Sequence, residues 1–427
     1  KEIAEEIASY YKQLFKSCRT DDFEEILDGI PCTITRQINE NITRPVEENE
    51  IKVAVFSMNP NKAPGPDGMT PLFFQKFWLT IKEEVVNAIR SFFHSGHILK
   101  SLNHTTISLI PKVELPTDLK HYRPISLCNV LYKVISKILA NRLKPVLDVC
   151  ISKNQSAFIP NRQILDNIII SHECLHFLKN KRQGKDGYTA IKLDMSKAYD
   201  RVEWSYLKAV MERMGFNYIW VAWILDCISS VSYSFNVNGE TKEYVIPSRG
   251  IRQGDPLSPY LFLLCSEGLS NLLRKAARQG KLSGLRISKQ GPAITHLFFA
   301  DDTLIFCKAA GEEARTLKAI LNQYEKGSGQ GINLEKSSIC FSKNTKAEDK
   351  KETCESLEGV RIVSQGKYLG LPMVITRTKG QIFAYIKDSI KTRLNNWKNK
   401  LLSAAGKEVM LKAVTMAMPI YAMSCFK

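Results

Sequence analysis

No two of the eleven cysteines form a Cys-x-x-Cys pair; they are scattered from Cys18 to Cys425. That spacing excludes a zinc ribbon and a small disulfide scaffold, and it fits reduced thiols in an intracellular protein. Long apolar runs are scarce too. The most apolar late stretch, Val409 to Phe426, is interrupted by Lys412 and Pro419 and makes a poor membrane span. The start carries no signal-peptide pattern, and the chain holds no internal repeat or low-complexity tract. It reads as soluble. Acidic residues are in deficit: 43 Asp and Glu face 60 Lys and Arg, a net charge of +17. That excess predicts a polyanionic partner. The deficit reverses in residues 1–50, which carry −6 and leave +23 for the rest, so the body should meet the partner. A start at Lys1 and a stop after an apolar run suggest a segment of something longer.

Against that background one stretch stands out. Residues 297–306 read LFFADDTLIF, two adjacent carboxylates between short apolar runs. Such runs fit buried strands, and aspartate tolerates turns, so Asp301 and Asp302 are expected at a hairpin tip. Asp-Asp lacks the glycine that tight hairpins favour, and two like charges beside hydrophobic strands repel unless a cation lies between them. A divalent metal resolves both conflicts.

Along the chain, residues 1–30 have helical spacing and 31–50 read as a polar connector. NPNKAPGPDGMTP (59–71) is a Pro/Gly loop, followed by an amphipathic helix over about 72–93. TTISLIP (105–111) reads as a strand, 119–126 as a basic loop, and 130–147 as a helix. YTAIKLD (188–194) is a strand ending in Asp194; a helix follows from about Glu203, strands lie near 233–246, and a long helix runs from Leu257 to about Ala277. This succession, with the Asp-Asp hairpin after it, suits an α+β fold with a split β-α-β-β-α-β sheet. From Gln381 on, the pattern is helical, with eight Lys or Arg against two acids. Asp194 with the hairpin pair makes a three-carboxylate set, the usual protein share of two Mg²⁺ ions that drive in-line phosphoryl transfer.

Taken together the motifs resemble the reverse transcriptase domain of a LINE-type non-LTR retrotransposon, plant copies above all. The blocks are KAPGPDG (62–68), IPK with HYRPISL (110–127), QSAFIPNRQILDNI (155–168), KLDMSKAYDRV (192–202), RGIRQGDPLSPYLF (249–262), FADD (299–302), GINLEKS (331–337) and KYLGLP (367–372). The resemblance implies a right-hand polymerase, an RNA-directed DNA polymerase that extends a DNA primer with dNTPs on an RNA template. It divides the chain into an acidic helical lead-in (1–50), fingers with the start of the palm (51–187), the palm (188–375) and a basic helical thumb (376–427), expected to be truncated. It assigns Asp194, Asp301 and Asp302 as ligands of two Mg²⁺ ions, with Mn²⁺ as a substitute. Tyr199 falls on the aromatic that excludes a 2′-hydroxyl, Gln253 on a nucleotide contact, and Arg123 and Lys112 on finger residues facing the triphosphate. Lys336 falls on a lysine proposed to protonate pyrophosphate. Trp397, Lys398 and Lys400 belong to the thumb that grips the hybrid. An endonuclease is expected upstream in the full polyprotein.

Three alternatives compete. HECLH (172–176) satisfies H-E-x-x-H, which on a helix would put His172 and His176 on one face with Glu173 as a base, a zinc metallopeptidase. No third ligand follows at a typical spacing, and a protease has no need of the charge. A group II intron maturase would share the palm blocks, but KAPGPDG, HYRPISL and KYLGLP are more LINE-like. A catalytically silent retroelement-derived RNA-binding protein would keep the basic surface while needing none of the aspartates. KNKRQGK (179–185) is a weak targeting signal that leaves nucleus and cytoplasm open.

Overall fold

Val, Ile, Thr, Phe and Tyr collect in short runs between polar turns, and those runs become the strands. A computed structural model describes residues 2–18, 23–363, 366–373, 380, 384–395 and 401–425. In chain order the strands are β1 (His104–Pro111), β2 (Tyr122–Cys128), β3 (Tyr188–Leu193), β4 (Met195–Ser196), β5 (Ser232–Val237), β6 (Glu240–Val245), β7 (His296–Phe299), β8 (Asp302–Lys308), β9 (Gly331–Ile332), β10 (Ser338–Phe341), β11 (Arg361–Ile362), β12 (Lys367–Tyr368) and β13 (Leu371–Pro372). The chain forms two compact units: residues 1–161, 195–281 and 316–333 make the first, and 162–194, 282–315 and 334–427 the second. Both interleave in sequence, so neither coincides with one linear segment.

The first unit carries a four-stranded sheet in the order β2-β1-β5-β6 and a small β4-β9 pair. The helix Glu2–Leu14 lays its apolar face on this sheet, with Tyr11 against Phe235 at 5.1 Å and Phe15 against Tyr233 at 5.2 Å between ring centroids. The helix Ser258–Arg278 starts with proline in its first turn, where the missing N–H is harmless, and is buried along most of its length.

The second unit is built on a five-stranded sheet ordered β11-β10-β3-β8-β7. Leu304, Ile305, Phe306 and Cys307 of β8 are fully buried, as expected of an inner strand. The helix Ile164–Asn180 begins with a capping box between Gln163 and Asp166, two reciprocal side-chain bonds to orphan N–H groups. Its Ile168, Cys174, Leu175 and Leu178 pack into one core with Ala190, Leu304 and Phe306. No described helix is long and apolar enough to cross a membrane.

Three readings of the sequence need correction. Residues 119–126 are not a loop: Tyr122–Cys128 is β2, paired with β1 from Thr105↔Cys128 to Pro111↔Tyr122. The Pro124 that argues for a loop is tolerated because β2 is the edge of its sheet. The connector 31–50 holds a helix, Arg36–Thr43, capped by the Thr35 hydroxyl accepting from the Ile38 N–H. The buried Arg142 guanidinium fixes this segment by donating to the Ile42 and Arg44 carbonyls and to Glu50. The expected helix 72–93 is two helices, Pro71–Lys76 and Trp78–Ser95, broken at Phe77.

Candidate active site

Each carboxylate owes its place to a strand end. In the second unit Phe299 of β7 pairs with Asp302 of β8, so Ala300 and Asp301 are the two turn residues and Asp302 already belongs to the ladder. The sequence reading had both aspartates at the tip. Ala300 has φ 53°, a left-handed position that such a turn normally gives to glycine. An alanine held there costs on the order of 1 kcal/mol, and strain of this kind collects at functional sites. On the other side of β8 the ladder with β3 ends at Leu193↔Thr303, so the next step outward sets Asp194 against Asp302. Directly opposed residues on one face have Cβ atoms about 4.5–5.5 Å apart. Two carboxylates therefore share one end of the sheet, with Asp301 in the adjoining turn.

Opposed like charges destabilise a sheet unless something cationic answers them. Lys192, two residues before Asp194 on the same face of β3, does so, its ammonium lying 3.4 Å from Asp302 Oδ1. The same Nζ donates to the Lys367 carbonyl at 3.1 Å. The Asp194 N–H donates to the buried Ser337 Oγ at 3.1 Å, which brings the turn holding Lys336 to this end of the sheet. Lys336, Asp194 and Asp301 are exposed, and Asp302 is half-buried. An all-oxygen carboxylate set is the donor chemistry of a hard divalent cation, and the register fits one. The side chains themselves are not gathered for it: among the described residues no three His, Cys, Asp or Glu converge to hold a metal.

The nucleotide-side candidates lie in the first unit. Tyr199 is half-buried, its ring stacked flat on Phe262 at 5.0 Å and 2°. Gln253 donates from Nε2 to Asp200 Oδ1 at 3.0 Å, and its carbonyl accepts the Ser126 N–H at 2.8 Å. The turn that carries it is nailed down on both sides. Arg252 is buried over the Tyr132 ring at 3.7 Å and donates to Asn103 Oδ1 at 2.6 Å and the Cys227 carbonyl at 2.7 Å. Asp255 accepts from the Tyr132 hydroxyl at 2.6 Å and from Ser136 Oγ. Arg123 and Lys112 are exposed on the β1-β2 hairpin, Arg123 opposite Ile110, with the Lys112 N–H donating to the His121 carbonyl at 2.8 Å. Trp397, Lys398 and Lys400 lie outside the described residues.

Some working residues escaped the sequence reading. Asp200 is 2% exposed, its Oδ2 meets no hydrogen-bond partner among the described residues, and burial pushes its carboxyl up to about 6 against the pull of Lys197 and Gln253. Lys192, beside Asp302, and the buried Asn167, which donates to the Phe298 carbonyl, were also missed. All three sit inside the quoted blocks, but which side chain of a block points at a carboxylate or an edge carbonyl depends on pleat and packing.

The HECLH residues of the rival zinc motif lie on the helix Ile164–Asn180. His176 Nε2 is bonded to the Asn180 side-chain amide at 2.8 Å, and Cys174 is buried, its thiol pushed up to about 12 by desolvation. The third ligand that a zinc site needs is not supplied among the described residues.

Residues 110–373, from the end of β1 through β13, match the reverse transcriptase (RNA-dependent DNA polymerase) family. The chain belongs to that family. Its sheet end with Asp194 and the FADD hairpin lies inside the matched region. Over 99% of its length this reverse transcriptase chain is 29% identical to a transposon TX1 uncharacterized 149 kDa protein of Xenopus laevis, covering 32% of that protein. It is 26% identical to the Pol polyprotein of the type-2 retrotransposable element R2DM of Drosophila melanogaster, over 79% of this chain and 31% of that one. A 69-residue stretch is 61% identical to an uncharacterized mitochondrial protein of Arabidopsis thaliana, covering 16% of this chain and 57% of that protein, and the likeness to plant copies rests on this short match. The reverse transcriptase chain thus spans about a third of the length of the two retroelement relatives. The family is that of RNA-dependent DNA polymerases, and membership implies a right-hand polymerase fold.

Proposed function

We propose that this chain extends a primer 3′-hydroxyl with deoxynucleoside triphosphates on an RNA template, as the polymerase segment of a longer retrotransposon polyprotein. The observation that carries the reading is the β3-β8 ladder, which sets Asp194 against Asp302 with Asp301 in the adjoining turn. In the second unit a strand, a hairpin and a last strand that returns beside the first follow the order β10-β3-β8-β7, which supports a split β-α-β-β-α-β palm. Residues 188–375 are assigned to that palm, 51–187 to fingers with the start of the palm, 376–427 to a thumb, and 1–50 to a lead-in.

Asp194, Asp301 and Asp302 would hold two Mg²⁺ ions, or Mn²⁺ in their place. When bound, such ions supply Lewis-acid charge that activates the primer hydroxyl and steadies the pyrophosphate leaving group. Tyr199, fixed on Phe262, presents a rigid ring edge that excludes a 2′-hydroxyl and selects dNTPs. Gln253 sits on an anchored turn and contacts the incoming nucleotide. Lys112 and Arg123 meet the triphosphate, the guanidinium in bidentate fashion. Lys336 gives a proton to pyrophosphate as it leaves. Trp397, Lys398 and Lys400 hold the hybrid, an endonuclease lies upstream in the polyprotein, and the protein works inside the cell. A primer-extension assay with Asp301→Asn tests the reading: synthesis is lost while template binding stays, and retained synthesis takes Asp301 out of the site.

A further inference from the structure

The five-stranded sheet of the second unit ends in β7, a four-residue edge strand that carries the Ala300-Asp301 turn. An edge strand has a row of carbonyls with no ladder partner, and a buried one must find another donor. Phe298, 1% exposed and one residue before the Phe299↔Asp302 pair, has such a partner in Asn167. Asn167 lies on the helix Ile164–Asn180, is 2% exposed, and donates from Nδ2 to the Phe298 carbonyl at 2.8 Å. The same amide nitrogen also donates to the Tyr368 hydroxyl at 3.4 Å. Tyr368 of β12 is buried as well, and the next residue, Leu369, takes a left-handed φ of 49° with its carbonyl accepting from the Tyr421 hydroxyl at 2.8 Å. One side-chain amide therefore joins a helix, the edge of the carboxylate hairpin and the KYLGLP block.

We propose that Asn167 is a positioning residue for the Asp301-Asp302 hairpin: by holding the Phe298 carbonyl it locks the outer edge of β7 and sets where the two aspartates stand. The inference rests on the polymerase reading. Leu297 and Phe299 of the hairpin arm pack into the same core as Ile168, the other side of β8 is held by β3, and the Asn167 amide adds a directional polar tie to the edge that carries the strained Ala300 turn. Loss of the donor leaves a buried carbonyl unpaired, and the inexpensive relaxation is for the edge to move outward, taking the turn with it. Geometry at the reacting centre is sensitive to shifts of about 1 Å.

The test is steady-state dNTP incorporation on a primed RNA template by wild type, Asn167→Ala, Asn167→Asp and Tyr368→Phe, with Mg²⁺ titrated and thermal midpoints recorded alongside. Asn167→Asp keeps the volume and removes the donor; Tyr368→Phe keeps the packing and frees one of the two contacts. The expected result is a fall in kcat of ten- to a hundredfold in both Asn167 variants and three- to tenfold in Tyr368→Phe. The dNTP KM should stay within twofold, and half-saturation should move to higher Mg²⁺. Full kcat per folded molecule at an unchanged Mg²⁺ requirement, with only a lowered thermal midpoint, makes Asn167 structural and overturns the inference. So does an unchanged Tyr368→Phe, which removes the second Asn167 contact and reads the placement of that amide should the Asn167 variants fail to fold. Wild type without synthesis would instead overturn the polymerase reading.

Discussion

Asp200 is buried, one of its oxygens meets no hydrogen-bond partner among the described residues, and burial raises its carboxyl from 3.8 to about 6. A carboxyl whose folded value lies above its unfolded one holds its proton more tightly in the folded state. Its contribution to stability is fully present below 3.8 and is lost as pH rises through about 6. That rise corresponds to about 3 kcal/mol. Asp200→Asn should therefore be nearly neutral near pH 4 and gain relative to wild type toward pH 7, measured as urea-unfolding free energy across that range; a difference independent of pH would show that Asp200 does not titrate in this window. At this scale the sequence was partly legible. Asp301 and Asp302 declared themselves because two like charges beside apolar strands form a conflict visible in the letters alone. Asn167 and Lys192 did not, since an asparagine in a helix and a lysine in a strand look ordinary until the edge carbonyl and the opposed aspartate are known.

Among the elements, the turn 249–257 depends most on backbone freedom. Gly250 has φ +95°, and a Cβ there would lie 2.6 Å from the Asp200 carbonyl, a contact that neither segment can relieve without moving. Its N–H donates to the Val202 carbonyl at 2.7 Å, and its own carbonyl accepts from Trp204 Nε1 at 2.8 Å. Gly250→Ala should cost about 2 kcal/mol or more through left-handed strain plus the clash, read by denaturant midpoint; a loss below a few tenths would show that the two segments separate freely. The inner strands β3 and β8 and the helix Ser258–Arg278 were legible because apolar runs and proline punctuation mark them strongly. The strand β2 was not, because its exposed, basic, proline-bearing edge carries little periodic signal and its pairing with β1 is a long-range fact. The helix Arg36–Thr43 was missed for a related reason: eight mostly polar residues owe their place to the Arg142 anchor rather than to their own pattern.

Over the whole chain the charge of +17, concentrated outside the acidic first fifty residues, sets how a nucleic acid is held. Template affinity should fall linearly on a log-log plot against salt, and six neutralised phosphates would lose on the order of a thousandfold between 50 and 200 mM. Filter binding checks this, and a flat response would contradict it. The polyanion partner and the reverse transcriptase class were legible at this scale, while the interleaving of two units was not, because it depends on segments distant in sequence coming together. The most direct test of the central claim is Mg²⁺-dependent dNTP incorporation on a primed RNA template by wild type, Asp302→Asn and Glu173→Ala. Synthesis by wild type and Glu173→Ala, lost at least a thousandfold in Asp302→Asn, is the predicted result; no synthesis by wild type despite tight RNA binding, or full synthesis by Asp302→Asn, would contradict it.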